Sequence, residues 1–296
     1  MKNCRLFSFL MLFIPLCSFS QSTNSDLTRK YNIGEVYRYR MTTNVIHNDK
    51  WQSTIVAVCE LKVMAGSDKI PYEEVKWISK KVITAKDTTE YPEEIKNTSP
   101  YRISLHPNGR LDLPPIQVAG MTGEITDFNT FYVAISPRLG IGQLHKQFDS
   151  FTKPENVKGN FANGKDILKG EDCLEASSIL QRITKEEAII QSDFMPPATQ
   201  CLQYFTAEMT KPVAGETINN FQMVRASANN KVNLFYGKEK FNINSTISLK
   251  DGKLRSALMN NTLFLQLKLN CNSDYTDCQH TMPFTIDRKI RLELIP

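Results

Sequence analysis

Phe284-Thr285-Ile286-Asp287-Arg288-Lys289-Ile290-Arg291-Leu292-Glu293-Leu294 sets Phe284, Ile286, Ile290, Leu292 and Leu294 in alternation with Thr285, Asp287, Lys289, Arg291 and Glu293. A period of two marks a strand with one face buried and one in water, because successive side chains of an extended chain point to opposite sides. The same period recurs near the start, where Tyr37, Tyr39, Met41, Thr43 and Val45 interleave with Arg38, Arg40, Thr42 and Asn44. From Trp51 to Met64 it puts Ile55, Ala57, Cys59, Leu61 and Val63 on one side, and Val75 to Thr84 reads as a third strand. Three long strands in succession predict an antiparallel meander.

Turn chemistry agrees. Asn108-Gly109 lies between Ile103/Leu105 and Leu111/Leu113, and Asp251-Gly252 between Ile247/Leu249 and Leu254. Both are hairpin signals, since these residue types tolerate the left-handed backbone of tight turns. Leu263, Leu265, Leu267 and Leu269 then share a face, but the parity is lost through Asn260-Asn261, which predicts a bulge or strand break there. Helix is scarce. Its best candidate is Asp127 to Ser136, with Asp127 as cap, Phe128, Phe131, Tyr132 and Ile135 at helical spacing, and Pro137 as the stop. Residues from Gly140 through Gly170, broken by Pro154, Gly159 and Gly164, read as a loop-rich connection. The predicted fold is mainly β: long antiparallel meander sheets in a sandwich or unclosed barrel, with one or two short helices. Two β-rich halves, 31–150 and 151–296, leave room for a diverged duplication.

The first residues give a compartment. Lys2 and Arg5 precede an apolar run, Leu6 to Leu16, too short for a membrane anchor, and Ser18-Phe19-Ser20 supplies small residues for cleavage. Residues 1–20 are therefore predicted to be a signal peptide and 21–30 a polar lead, with the mature chain exported to the periplasm, the outer-membrane surface or the medium. Bulky Leu16 argues against lipid attachment at Cys17. No later segment approaches the ~20 apolar residues of a membrane helix, and neither face of the first strand is free of polar groups, against an outer-membrane barrel. The formal charge of +5 falls to +3 without Lys2 and Arg5. Without basic stripes interleaved with aromatics, that balance argues against a dedicated nucleic-acid binder.

Of the mature cysteines, Cys59, Cys173, Cys201, Cys271 and Cys278, at least one must stay unpaired. An oxidising compartment would bridge Cys271 and Cys278 across their short polar loop, and Cys173 and Cys201, flanking the Ile179-to-Phe194 strand pair, are the second candidate bridge. Cys59 reads as an interior side chain. A metal site from Cys271, Cys278 and His280 lacks a fourth ligand and the usual spacing. His47, His106, His145 and His280 show no ligand spacing, Gly140-Ile141-Gly142 lacks the third glycine of a dinucleotide fingerprint, and no nucleophile elbow occurs. Glu73-Glu74, Glu93-Glu94 and Glu186-Glu187 are adjacent carboxylates, and since neighbours in a strand point to opposite faces, no one of these doublets supplies a facing acid pair. The expectation is no catalytic residue, no metal and no cofactor.

The Ser18-Phe19-Ser20-Gln21 junction followed by Tyr31-Asn32-Ile33-Gly34-Glu35-Val36-Tyr37-Arg38-Tyr39 resembles exported β-rich envelope proteins of Bacteroides-type bacteria. Long antiparallel strands with a single helix are also similar in outline to the unclosed-barrel lipoprotein carriers of the bacterial envelope, whose sheet and helix enclose an acyl-binding cavity. The resemblance implies architecture and carries over no functional residue. From composition, 16 Phe, 10 Tyr and 10 Met suffice to line a cleft. The leading expectation is an envelope protein without enzymatic activity that binds a lipid or other apolar or amphipathic ligand, with Phe128, Phe131 and Tyr132 as a lid over the sheet. The alternatives are a surface module docking a protein or glycan by strand edges and exposed aromatics, and a hydrolase whose carboxylates converge only in three dimensions.

Overall fold

The computed structural model describes residues 26–111, 118–153, 157–160, 167–213 and 218–295. The signal segment, Cys4, Cys17 and Leu113 lie outside the described residues, as do residues 21–25 of the polar lead. The predicted meander is β1 (Val36–His47), β2 (Lys50–Ala65) and β3 (Pro71–Ile83), each antiparallel to the next. Beyond it, β4 (Thr88–Glu90) and β5 (Tyr101–Ile103) lie end to end along the far edge of β3, with α1 (Pro92–Asn97) between them. After α2 (Thr122–Ala134) come β6 (Ser150–Thr152), β7 (Val157–Asn160), β8 (Ile167–Ile183) and β9 (Glu187–Met195), then β10 (Phe221–Ala226), β11 (Val232–Ser248), β12 (Leu254–Cys271) and β13 (His280–Ile295).

All thirteen strands of the described residues join one antiparallel sheet, ordered β10-β8-β9-β11-β12-β13-β1-β2-β3-β4 along its main path and not closed into a barrel. Between β8 and β11, β9 and β10 occupy one lane in tandem, β9 pairing one end of both long strands and β10 the other. Asn220 plugs the gap in that lane: its amide accepts from the Glu239 N–H at 2.7 Å and donates to the Glu239 carbonyl at 2.9 Å, as a strand backbone would. β13 runs beside β1 from Arg38↔Ile295 to His47↔Ile286, so the last strand meets the first and the two sequence halves share one continuous sheet.

The register puts Tyr39, Met41, Ala57, Leu61, Met259, Ile290, Leu292, Ile243 and Ile247 on one face, where α2 packs on them to form the main core. The opposite face meets water through cross-strand ion pairs such as Arg38–Glu60 and Arg40–Glu293. Asp251-Gly252 makes the expected β11–β12 turn with Gly252 at φ 68°. A Cβ there would meet the Thr28 carbonyl at 2.3 Å, so glycine serves both the turn and the close approach of the N-terminal segment.

Four expectations need correction. The helix runs Thr122–Ala134, starting five residues before Asp127, which is buried in mid-helix and not a cap; Met121 and Ile125 extend its apolar face, and Glu124 is fixed by Lys80. No bulge occurs at Asn260-Asn261, where β12 keeps unbroken register with both neighbours. Asn261 simply points inward, 3% exposed, with its amide bonded to Glu239 at 2.6 Å, so a polar residue on the buried face imitated a change of parity. The stretch from Gly140 to Gly170 holds a 3₁₀ turn at Ile141–Gln143, β6, β7 and the start of β8. At Asn108-Gly109 the chain turns one step earlier, with the Gly109 N–H donating to the His106 carbonyl, and the strand leading into it is only Tyr101–Ile103.

Candidate functional site

The predicted lid residues all lie in the core between α2 and the sheet, Phe128 and Phe131 at 0% and Tyr132 at 2% exposure. The Phe128 ring stands 5.9 Å from Tyr39 and 5.8 Å from Trp77, both edge-on, and 5.1 Å from Tyr132. Such contacts are the preferred geometry of aromatic clusters. The rings thus occupy the space between helix and sheet.

The same helix carries an unusual load of buried polarity. Glu124 pairs with Lys80 at 2.8 Å, and the Lys80 ammonium also donates to the Gly120 carbonyl. Asp127 pairs with Arg288, which reaches Asn261 and through it Glu239. Burial pushes the Asp127 carboxyl up to about 6, against the pull of Arg288 and with a further push from Glu124 and Glu239. Thr122 Oγ1, Thr126 Oγ1, Asn129 Oδ1 and Nδ2, and Ser136 Oγ are buried without a hydrogen-bond partner. A buried polar group left unpaired costs about 1–3 kcal/mol, so this contact is expensive for a core helix.

A second polar knot closes one end of the main core. Arg29 donates to Glu73 at 2.9 Å, their side chains 1% and 0% exposed, and the Tyr37 hydroxyl donates to the same carboxylate at 2.7 Å. Burial raises the Glu73 pKa, while Arg29 and the tyrosine hydroxyls oppose the rise. Arg29 also donates to the Asp251 carbonyl at 3.2 Å, as does the Lys30 N–H at 2.8 Å. The N-terminal segment therefore straps β3 to the β11–β12 turn.

On the outer face, Leu234 and Tyr236 of β11 have opposite parity to Ile243 and build a separate small core with Met209, Val224 and Cys271. The strap that covers it leaves the sheet after β9. Cys201 ties the strap to β8 through the bridge to Cys173, and its Phe205 ring lies 5.5 Å from Tyr275 in the hairpin closed by Cys271–Cys278. Asn219, fully buried, donates to the Met209 and Lys211 carbonyls and accepts from the Val213 N–H, fixing the far end. Both predicted bridges are present, and Cys59 is the free, buried thiol, its pKa raised by burial.

Beside this strap is a groove of about 420 Å³ lined by Pro212, Val213, Tyr236, Phe264 and Pro283. Lys211 is exposed at its rim, and Glu208 is paired there with Lys268. A further hollow of about 400 Å³ lies by α1, between Val56, Val58, Ile78 and Tyr91, Pro92, Ile95. Among the described residues, no group of three or more His, Cys, Asp or Glu is placed to hold a metal ion, and no helix is long and apolar enough to cross a membrane.

Sequence reasoning missed Arg29, Glu73, Arg288 and the groove. Arg288 had a signal: it is a charge at an inward position of the most regular strand, where only a partner makes burial tolerable. The groove had none, because its walls come from segments far apart in sequence.

No protein-family model matches the chain, and no curated protein matches it. Among solved structures, it is similar to a lipovitellin chain, from a structure described as lipid-protein interactions in lipovitellin, at 12% identity and a TM-score of 0.43. The match covers 90% of this chain and 26% of that one, so the chain spans about a quarter of lipovitellin's length.

Proposed function

We propose that this protein is an extracytoplasmic carrier that binds an amphipathic ligand in the outer groove, the apolar part on Phe264, Tyr236 and Pro283 and the polar end beside Lys211. The carrying observation is the groove itself: among the described residues it is open, and at about 420 Å³ it falls in the range of roughly 300–1,000 Å³ of small-molecule sites, which are mostly apolar with a few placed polar groups. One disulfide anchors the strap beside it and a second closes the β12–β13 hairpin, and such bonds persist where the surroundings are oxidising, which supports placement outside the cytoplasm. The test is to purify the full chain from its native host, extract it for mass spectrometry, and titrate it with an environment-sensitive fluorescent fatty acid. The expected result is a copurified amphiphile and saturable binding that weakens about tenfold or more in Phe264→Asp, the size of effect a charge on an apolar wall should have. Equal titrations for wild type and variant would refute the assignment to this groove.

A further inference from the structure

Ten buried side-chain nitrogen and oxygen atoms among the described residues lack a hydrogen-bond partner, and five of them belong to α2 or to Ser136 just past its end. At about 100° per residue, Thr122, Thr126 and Asn129 fall within an arc of about 60°, on a different flank from Asp127 and its Arg288 partner, and Ser136 lies two residues past the end of the helix. Asn129 is 2% exposed with both amide atoms unmatched. Thr122, Thr126 and Val133, on the same flank, are half-buried, so this row runs along the margin of the core.

Chemistry narrows what belongs there. Asn129 offers donors and an acceptor, and each hydroxyl offers both, with no formal charge. Lys80 and Arg288, the cations described at this helix, are already engaged by Glu124 and Asp127, which leaves an anionic headgroup without a counter-charge. From Thr122 to Asn129 the row extends about 10 Å at 1.5 Å per residue, more than one water molecule with its usual three or so bonds would serve. We propose that this flank is the polar wall of a second binding site for a neutral, hydroxyl- or amide-bearing amphiphile, its headgroup bonded to Asn129, Thr126, Thr122 and Ser136 and its apolar part against Ile125 and Val133. The site lies on the opposite sheet face from the outer groove and does not depend on it.

The experiment uses the full chain with monoolein as the neutral probe and oleate as the anionic one, followed by calorimetry. Asn129→Leu keeps the side-chain volume and removes the amide. Monoolein binding should weaken about tenfold or more, while the fluorescent fatty acid, sensitive to Phe264→Asp, titrates unchanged. Oleate should bind wild type and Asn129→Leu alike. Equal monoolein binding in both proteins overturns the proposal, as does a high-resolution crystal structure of monoolein-soaked protein with ordered water alone on the four side chains. If Asn129→Leu does not fold, Thr126→Val and the Asn129 side-chain amide resonances decide: a shift on adding monoolein supports the site, and its absence removes it.

Discussion

Asp127 and Arg288 meet across the buried face, and their energetics depend on pH with a definite sign. The folded pKa of Asp127, about 6, lies above its unfolded value of roughly 3.9. Its contribution therefore favours the fold below the unfolded value and is lost as pH rises through about 6. Arg288→Met leaves the carboxylate buried without its partner, a change that costs about 3–5 kcal/mol. The loss should be full at pH 7.5 and much smaller at pH 5, where Asp127 takes up a proton. Urea unfolding at the two pH values checks this, and equal losses would contradict it. At this scale the sequence was partly legible. Cys59 and the alternate residues of β1 read inward by parity alone, and both bridges followed from spacing and compartment. The Arg29–Glu73 pair was not legible, because 44 positions separate its partners and nothing local to either announces the other.

The outer strap is the element whose stability rests most on covalent chemistry. The Cys173–Cys201 bridge closes a separation of 28 residues and Cys271–Cys278 one of 7. On chain entropy alone these are worth about 3–4 and about 2–3 kcal/mol. Replacing Cys173 and Cys201 with alanine should thus lower the guanidinium midpoint more than replacing Cys271 and Cys278, and should also weaken fatty-acid binding in the groove. The reverse order of midpoints would show that the strap is held by its side chains. Strand existence was readable from period two because one face of a strand is dry and the other wet along most of the sheet. The start of α2 was not, since Met121 caps it without a side-chain bond and Gly123 gives no helical signal. Asn261 misled for a related reason: parity rules assume apolar interiors, and a polar side chain satisfied inside breaks the assumption without breaking the strand.

For the whole molecule, stability should fall from the centre of the sheet outward. β12, β13, β1 and β2 are flanked on both sides by long partners, whereas β4, β6 and β7 are short segments on outer edges. Hydrogen exchange should find the slowest amides in the central four strands and the fastest in the edge segments; uniform protection across the sheet would count against this gradient. Strand order itself was beyond sequence reading, because the β13–β1 pairing joins the two most distant elements of the sheet and no pattern in either names its neighbour.

That pairing has a consequence for biogenesis. A polypeptide that emerges amino end first presents the bare rim of β1 long before β13 arrives to cover it, and β12 waits in the same way on the other side. The two sheet pieces gain continuous backbone pairing only once β13 is delivered between β12 and β1. Throughout that interval the uncovered strand rims are open to pairing with other chains, so the nascent molecule needs shelter from its own copies.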